Sequence, residues 1–140
     1  MSFGENGESE KYLKIIEVDT NKEFAKVEIE KFDKVQFNWI HSVENTPWQE
    51  DFIINKKYFL ELKKVSFKEF GAGMPFFEKE KMKDKDGYIV ITDLNREYSS
   101  YNWINSKTAT SDILVNGEKI LNGKDLPHHS SMEMIIKEGK

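Results

Sequence analysis

A histidine and a glutamate stand inside two greasy, β-patterned runs of the stretch FNWIHSVENTPWQEDFII, residues 37–54. An imidazole beside a carboxylate can exchange protons or complete a small polar site, and it is costly to bury without a partner. Side chains alternate along a strand, so Val35, Phe37, Trp39, His41 and Val43 share one face. Lys34, Gln36, Asn38, Ser42 and Glu44 share the other, interrupted by Ile40. On the second run Trp48, Glu50, Phe52 and Ile54 form the apolar set. A four-residue loop from Glu44 to Pro47 keeps the proline out of a ladder to which it cannot donate. That register predicts Phe37 opposite Ile54, Trp39 opposite Phe52, His41 opposite Glu50 and Val43 opposite Trp48. Directly opposed Cβ atoms lie about 4.5 to 5.5 Å apart, so the His41 imidazole and the Glu50 carboxylate are expected to meet. Two uses remain open for such a pair: a structural hydrogen bond near the hairpin's end, the commoner fate of ion pairs in cores, or a ligand or metal site at its rim.

Other segments carry chemistry-bearing residues in weaker patterns. In FGAGMP, residues 70–75, Gly71 and Gly73 free the backbone to approach an anion, yet no third glycine and no Lys-Ser/Thr complete a nucleotide loop. A tight chain reversal is the simpler use, and a pocket wall beside His41 formed by Gly71, Ala72, Gly73 and Pro75 is the functional one. The adjacent His128 and His129 would point opposite ways on a strand, so at most one joins His41 around a metal. Without cysteine or an H-E-x-x-H helix, no metal site and no cofactor are expected. His41 and Ser42 are strand neighbours facing opposite sides, which rules out a nucleophile–base contact. In YNWIN, Tyr101 and Trp103 share a face and are expected in the core; a stacking platform for sugars or bases, with Tyr98 close by, is the alternative. The run EKEKMKDKDG lacks the closing glutamate of a calcium loop and suits a charged surface.

Strands must position all of these. Short aromatic and β-branched runs separated by Gly, Asn, Asp or Pro recur at 12–18, 24–30, 34–43, 48–54, 58–67, 88–92, 97–104, 111–115, 118–122 and 131–137. Asn116-Gly117 signals a type I′ hairpin that pairs Val115 with Glu118 and Ile113 with Ile120. The only helical signal is PFFEKEKMKDK, opened by Pro75 and ended by Asp86-Gly87. The expected fold class is all-β: a single-domain antiparallel β-sandwich or flattened barrel with at most one short helix. Residues 1–10 read as a flexible lead-in and 11–140 as one β domain. The chain's 140 residues suit one core. Its 25 acidic and 21 basic residues leave a net charge of −4 with no Lys/Arg stripe, so a nucleic-acid partner is not expected. The absence of cysteine excludes disulfides, thiolate metal sites and a cysteine nucleophile.

The run NWIHSVENTPWQE, followed by VSFKEFGAGMP, closely resembles the two signatures of a bacterial family known as domain of unknown function 1850. The matching positions are His41, Ser42, Val43, Glu44, Thr46, Pro47 and Glu50, then Phe67, Phe70, Gly71, Ala72, Gly73 and Pro75. The resemblance implies a small extracytoplasmic domain, membrane-anchored or secreted. Its amino-terminal anchor or signal segment is expected to be missing, since MSFGENGESEK has no apolar core. It also implies a genetic setting beside TRAP-type transporters of the TAXI class, with a transporter component or its substrate-binding protein as partner. It implies no activity. Candidate pocket or motif residues are His41, Ser42, Glu44, Thr46, Glu50, Gly71, Ala72, Gly73 and Pro75. The leading expectation is a non-catalytic binding or accessory module for a small-molecule ligand. The alternatives are a hydrolase or isomerase with Glu50 as base and His41 as acid, and a lectin-like module built on Tyr101 and Trp103.

Overall fold

The computed structural model describes residues 10–41, 46–68, 81–83 and 88–139. Its strands are β1 (Lys11–Glu17), β2 (Lys22–Ile29), β3 (Lys34–His41), β4 (Thr46–Ile54), β5 (Leu60–Lys68), β6 (Lys81–Lys83), β7 (Tyr88–Ile91), β8 (Arg96–Tyr98), β9 (Ser100–Ile104), β10 (Thr110–Val115), β11 (Glu118–Asn122) and β12 (Ser131–Glu138). Every pairing is antiparallel. A small sheet runs β2-β1-β12-β9, and a large one runs β11-β10-β3-β4-β5-β7-β6 with β8 added beside β5. Neither sheet closes on itself, so the fold is a sandwich and not a flattened barrel.

One apolar cluster fills the space between the layers. Leu13, Ile15, Met132 and Met134 come from the small sheet, while Val35, Phe37, Phe52, Ile54, Val65, Phe67, Ile89, Ile91 and Ile113 come from the large one. The period of two that groups Val35 with Phe37, and Phe52 with Ile54, is the alternation that buries one face of each strand.

The turn at Asn116-Gly117 has positive φ at both residues, 51° and 85°, as a type I′ hairpin requires. Val115 pairs with Glu118 as expected, but Ile113 pairs with Leu121 and not Ile120, because the register shifts between Ile113 and Leu114. That bulge gives β11 one extra residue. The expected helix over residues 75–85 is also corrected: Lys81–Lys83 is a strand paired with Ile89–Ile91, and the rest of that segment lies outside the described residues. A one-turn helix carries a nucleation cost, whereas an edge position beside β7 offers ladder partners at once. The run 97–104 is likewise two strands: the chain bends at Ser99 and passes from β5 in the large sheet to β12 in the small one. The crossing sets Tyr101 and Trp103 over β3 and β4.

Candidate functional site

The site is built on the β3–β4 hairpin, whose register differs from the expected one by four residues on β4. Phe37 lies opposite Glu50, Trp39 opposite Trp48 and His41 opposite Thr46. The cross-strand His41/Glu50 pair is therefore absent: His41 is four residues along β3 from the position facing Glu50, about 13 Å at strand rise. The connection is still four residues, but they are 42–45. Pro47 sits inside β4 without penalty, for a geometric reason. The Ile40 N–H bonds to the Ala109 carbonyl on the far side of β3, so its partner Pro47 turns its own missing donor away from β3. On that other side, pairing with β5 begins only at Trp48.

A shift of four preserves parity, so Glu50 does enter the apolar layer, where it is 9% exposed. The Trp48 indole N–H donates to its Oε2 at 3.1 Å, and the Tyr101 hydroxyl donates to Oε1. An ionised carboxylate accepts at both oxygens, and here each faces a donor. Burial pushes the Tyr101 phenol well above its ordinary value; the adjacent Glu50 charge and the hydrogen bond to it add to the effect. The phenol is therefore a fixed proton donor across the neutral range. Aromatic rings enclose the pair: Phe52 lies 5.1 Å and Phe37 5.7 Å from Tyr101, both edge-on, and Trp39, Trp48 and Phe67 form a row across three strands. With each oxygen accepting one hydrogen bond and almost no access to solvent, the Glu50 carboxylate positions Tyr101 and Trp48.

Beside this network the surface opens into a groove of about 270 Å³ between β3 and β9, lined by Phe37, Trp39, Ile40, Tyr101, Trp103, Ile104 and Ala109. Trp103 donates its indole N–H to Asn105 Oδ1 at 3.4 Å. Asn105 is fully buried and donates to the Gly123 and Pro127 carbonyls at 3.3 and 3.1 Å. A larger concavity of about 750 Å³ lies on the outer face of the large sheet, among Lys34, Gln36, Asp51, Lys63, Lys64 and Asp93. Several of its polar groups are engaged, Gln36 with Asp51 at 3.2 Å, Lys63 with Asn95 and Glu61, and Lys64 with Asp51 at 4.0 Å. The smaller groove has the apolar, aromatic lining typical of ligand sites.

Of the residues singled out from sequence, Glu50 is in the core network, and Thr46 closes the hairpin opposite His41. Ser42, Glu44, Gly71, Ala72, Gly73 and Pro75 lie outside the described residues. Tyr101 and Trp103 pack on the core and also wall the groove. His128 and His129 occupy an exposed loop, where their rings stack 3.7 Å apart and do not diverge as strand neighbours would. Among the described residues no group of three His, Asp or Glu side chains is placed to hold a metal ion. Sequence reasoning missed Trp48 and Tyr101 as the partners of Glu50; the signal was that a buried carboxylate needs donors, and these residues carry them on apolar faces.

No curated protein and no solved structure matches the chain. The family description Domain of unknown function (DUF1850) matches residues 35–121, from the second residue of β3 into β11. That span holds Glu50, Tyr101 and every described residue lining the aromatic groove. It also covers more than half of the sequence, and on that ground the chain belongs to the DUF1850 family.

Proposed function

We propose that this protein is a non-catalytic binding module whose ligand site is the aromatic groove between β3 and β9. The supporting observation is the composition of that groove: Phe37, Trp39, Tyr101 and Trp103 present ring carbon to one concavity, while the Tyr101 hydroxyl and the Trp103 N–H are tied to Glu50 and Asn105. Apolar ligand surface buried there contributes about 25 cal/mol per Å². With the described Glu50 oxygens both occupied, binding needs no bond-making chemistry. In keeping with the family resemblance, we place the module outside the cytoplasm as an accessory of a TRAP-type transporter, with a transporter component or its substrate-binding protein as partner.

Two measurements test this reading. Thermal melts with amino acids, dicarboxylates, sugars, alkylammonium salts and divalent metals should show a rise for one class; ligand at a hundredfold excess over its Kd stabilises by about 2.7 kcal/mol. The rise should vanish in Trp103→Ala, and a flat panel with unchanged tryptophan emission refutes the binding reading. For location, Asp19→Cys in the exposed β1–β2 turn supplies the chain's only thiol when expressed from the native gene. Labelling of intact cells by a membrane-impermeant maleimide is expected; labelling only after lysis overturns the extracytoplasmic placement.

A further inference from the structure

The chemical class of the ligand follows from what the groove walls withhold. This inference rests on the binding reading above. Tyr101 and Trp103 have spent their polar groups on Glu50 and Asn105, and among the described residues no charged side chain lines the groove. A carboxylate, a phosphate or a ring of sugar hydroxyls would lose its water there with little side-chain hydrogen bonding in return.

The ring geometry narrows the choice further. Phe37 meets Trp103 at 4.8 Å and 80°, and Tyr101 at 5.7 Å and 73°. Walls at steep angles enclose a rounded group, whereas a flat sugar or base wants a level platform. Aromatic faces carry partial negative charge, which attracts a cation placed over them. The Glu50 carboxylate lies directly behind Tyr101, and its two donors are neutral groups. Glu50 takes part in none of the ion pairs seen among the described residues. Among the described residues its partners are thus neutral dipoles, and a hydrogen bond given to a carboxylate enriches the donating phenol ring in electron density. Field, shape and hydrogen-bond inventory agree on one occupant.

We propose that the groove binds an organic cation through an alkylammonium head group, enclosed by the Trp39, Tyr101 and Trp103 rings, with Glu50 as the buried counter-charge. The volume of about 270 Å³ is at the small end of ligand sites, so it takes a head group and leaves any tail in solvent.

The test is a tryptophan-fluorescence titration with choline and, in parallel, with the neutral alcohol in which carbon replaces the choline nitrogen. The two share a shape and differ in charge. Choline is expected to bind at least about tenfold more tightly. Glu50→Gln should remove several-fold of that preference for choline over the alcohol; because it probes a buried group, its fold is checked by near-ultraviolet circular dichroism, and the wild-type comparison decides the matter by itself. Equal binding of both compounds overturns the cation inference but leaves the binding reading standing. Failure of both, with a sugar or amino acid quenching instead, does the same. Failure of every compound, together with a flat thermal panel, removes both.

Discussion

Glu50 and Asp51 are consecutive acids on β4, and alternation sends them to opposite sides of the large sheet. Glu50 enters the aromatic layer and receives one hydrogen bond from Trp48 and one from Tyr101, a residue of the other sheet. Asp51 faces outward, where Gln36 and Gln49 donate to it at 3.2 and 3.1 Å and Lys64 approaches to 4.0 Å. The outer acid has more partners, including a cation. It is nonetheless the less consequential of the two, because water competes for each of its contacts. The inner acid has two neutral partners and nothing to replace them. Dependence on a carboxylate tracks what would be stranded by its loss, not how many neighbours it has.

Replacement of each acid breaks this comparison most directly. Glu50→Ala leaves the Trp48 N–H and the Tyr101 hydroxyl without their acceptor inside the sandwich and should cost about 3 to 5 kcal/mol in urea denaturation. Asp51→Ala should stay within about 1 kcal/mol. Equal losses would mean that the two faces of β4 are not energetically distinct.

A sharper contrast comes from coupling. A cycle of Glu50→Gln and Tyr101→Phe should show an interaction of about 0.5 to 3 kcal/mol, against less than about 0.5 kcal/mol for Asp51→Ala with Gln36→Ala. The same bond has a pH signature. The folded state raises the Tyr101 pKa above the ordinary tyrosine value of 10.0, so the stability this group contributes is complete below that pH. It is lost as pH climbs through the elevated folded value. Tyr101→Phe should flatten that alkaline limb; an unchanged limb would assign it to other groups.

The smallest effect belongs to the outer surface. Hydrogen bonds from Asn55 and Lys63 hold the Glu61 carboxyl below its usual value of about 4.5, and hydroxyls of Ser130 and Thr20 do the same for Glu17. Their contributions are present above that value and disappear as pH falls through the lowered folded ones. Glu61→Gln should make the acid limb slightly shallower. A steeper limb in Glu61→Gln would contradict the assignment.

Most strands were legible because apolar alternation is a property of one segment and needs no knowledge of its neighbours. Val35 with Phe37, Phe52 with Ile54 and the Asn116-Gly117 turn all follow from local pattern. The register of the central hairpin did not. Counting Pro47 as a loop residue is reasonable from its missing donor, and only the direction of the Ile40 N–H, toward β10, shows why it can enter the strand. Because the error was an even number of residues, four, the faces stayed correct while the partner of Glu50 changed. That partner, Tyr101, lies 51 residues away on the opposite layer. Which sheet covers which depends on the bend at Ser99, where a run of strand-forming residues divides between layers, and no local pattern distinguishes it from one continuous strand. The groove was out of reach for the same reason: it exists only once β9 is laid over β3.

The order of strands in the small sheet has a bearing on how the chain is made. β12, the last strand, is hydrogen-bonded on one side to β1, the first, and on the other to β9. While residues 131–138 are still inside the ribosome, the β1–β2 hairpin and β9 have no common neighbour, and the smaller sheet cannot assemble. Tyr101 then has no sheet to hold it over the Glu50 carboxylate. Synthesis proceeds at about 5 to 20 residues per second, so for an interval of seconds the β1–β2 hairpin and β9 exist without the strand that joins them into one layer.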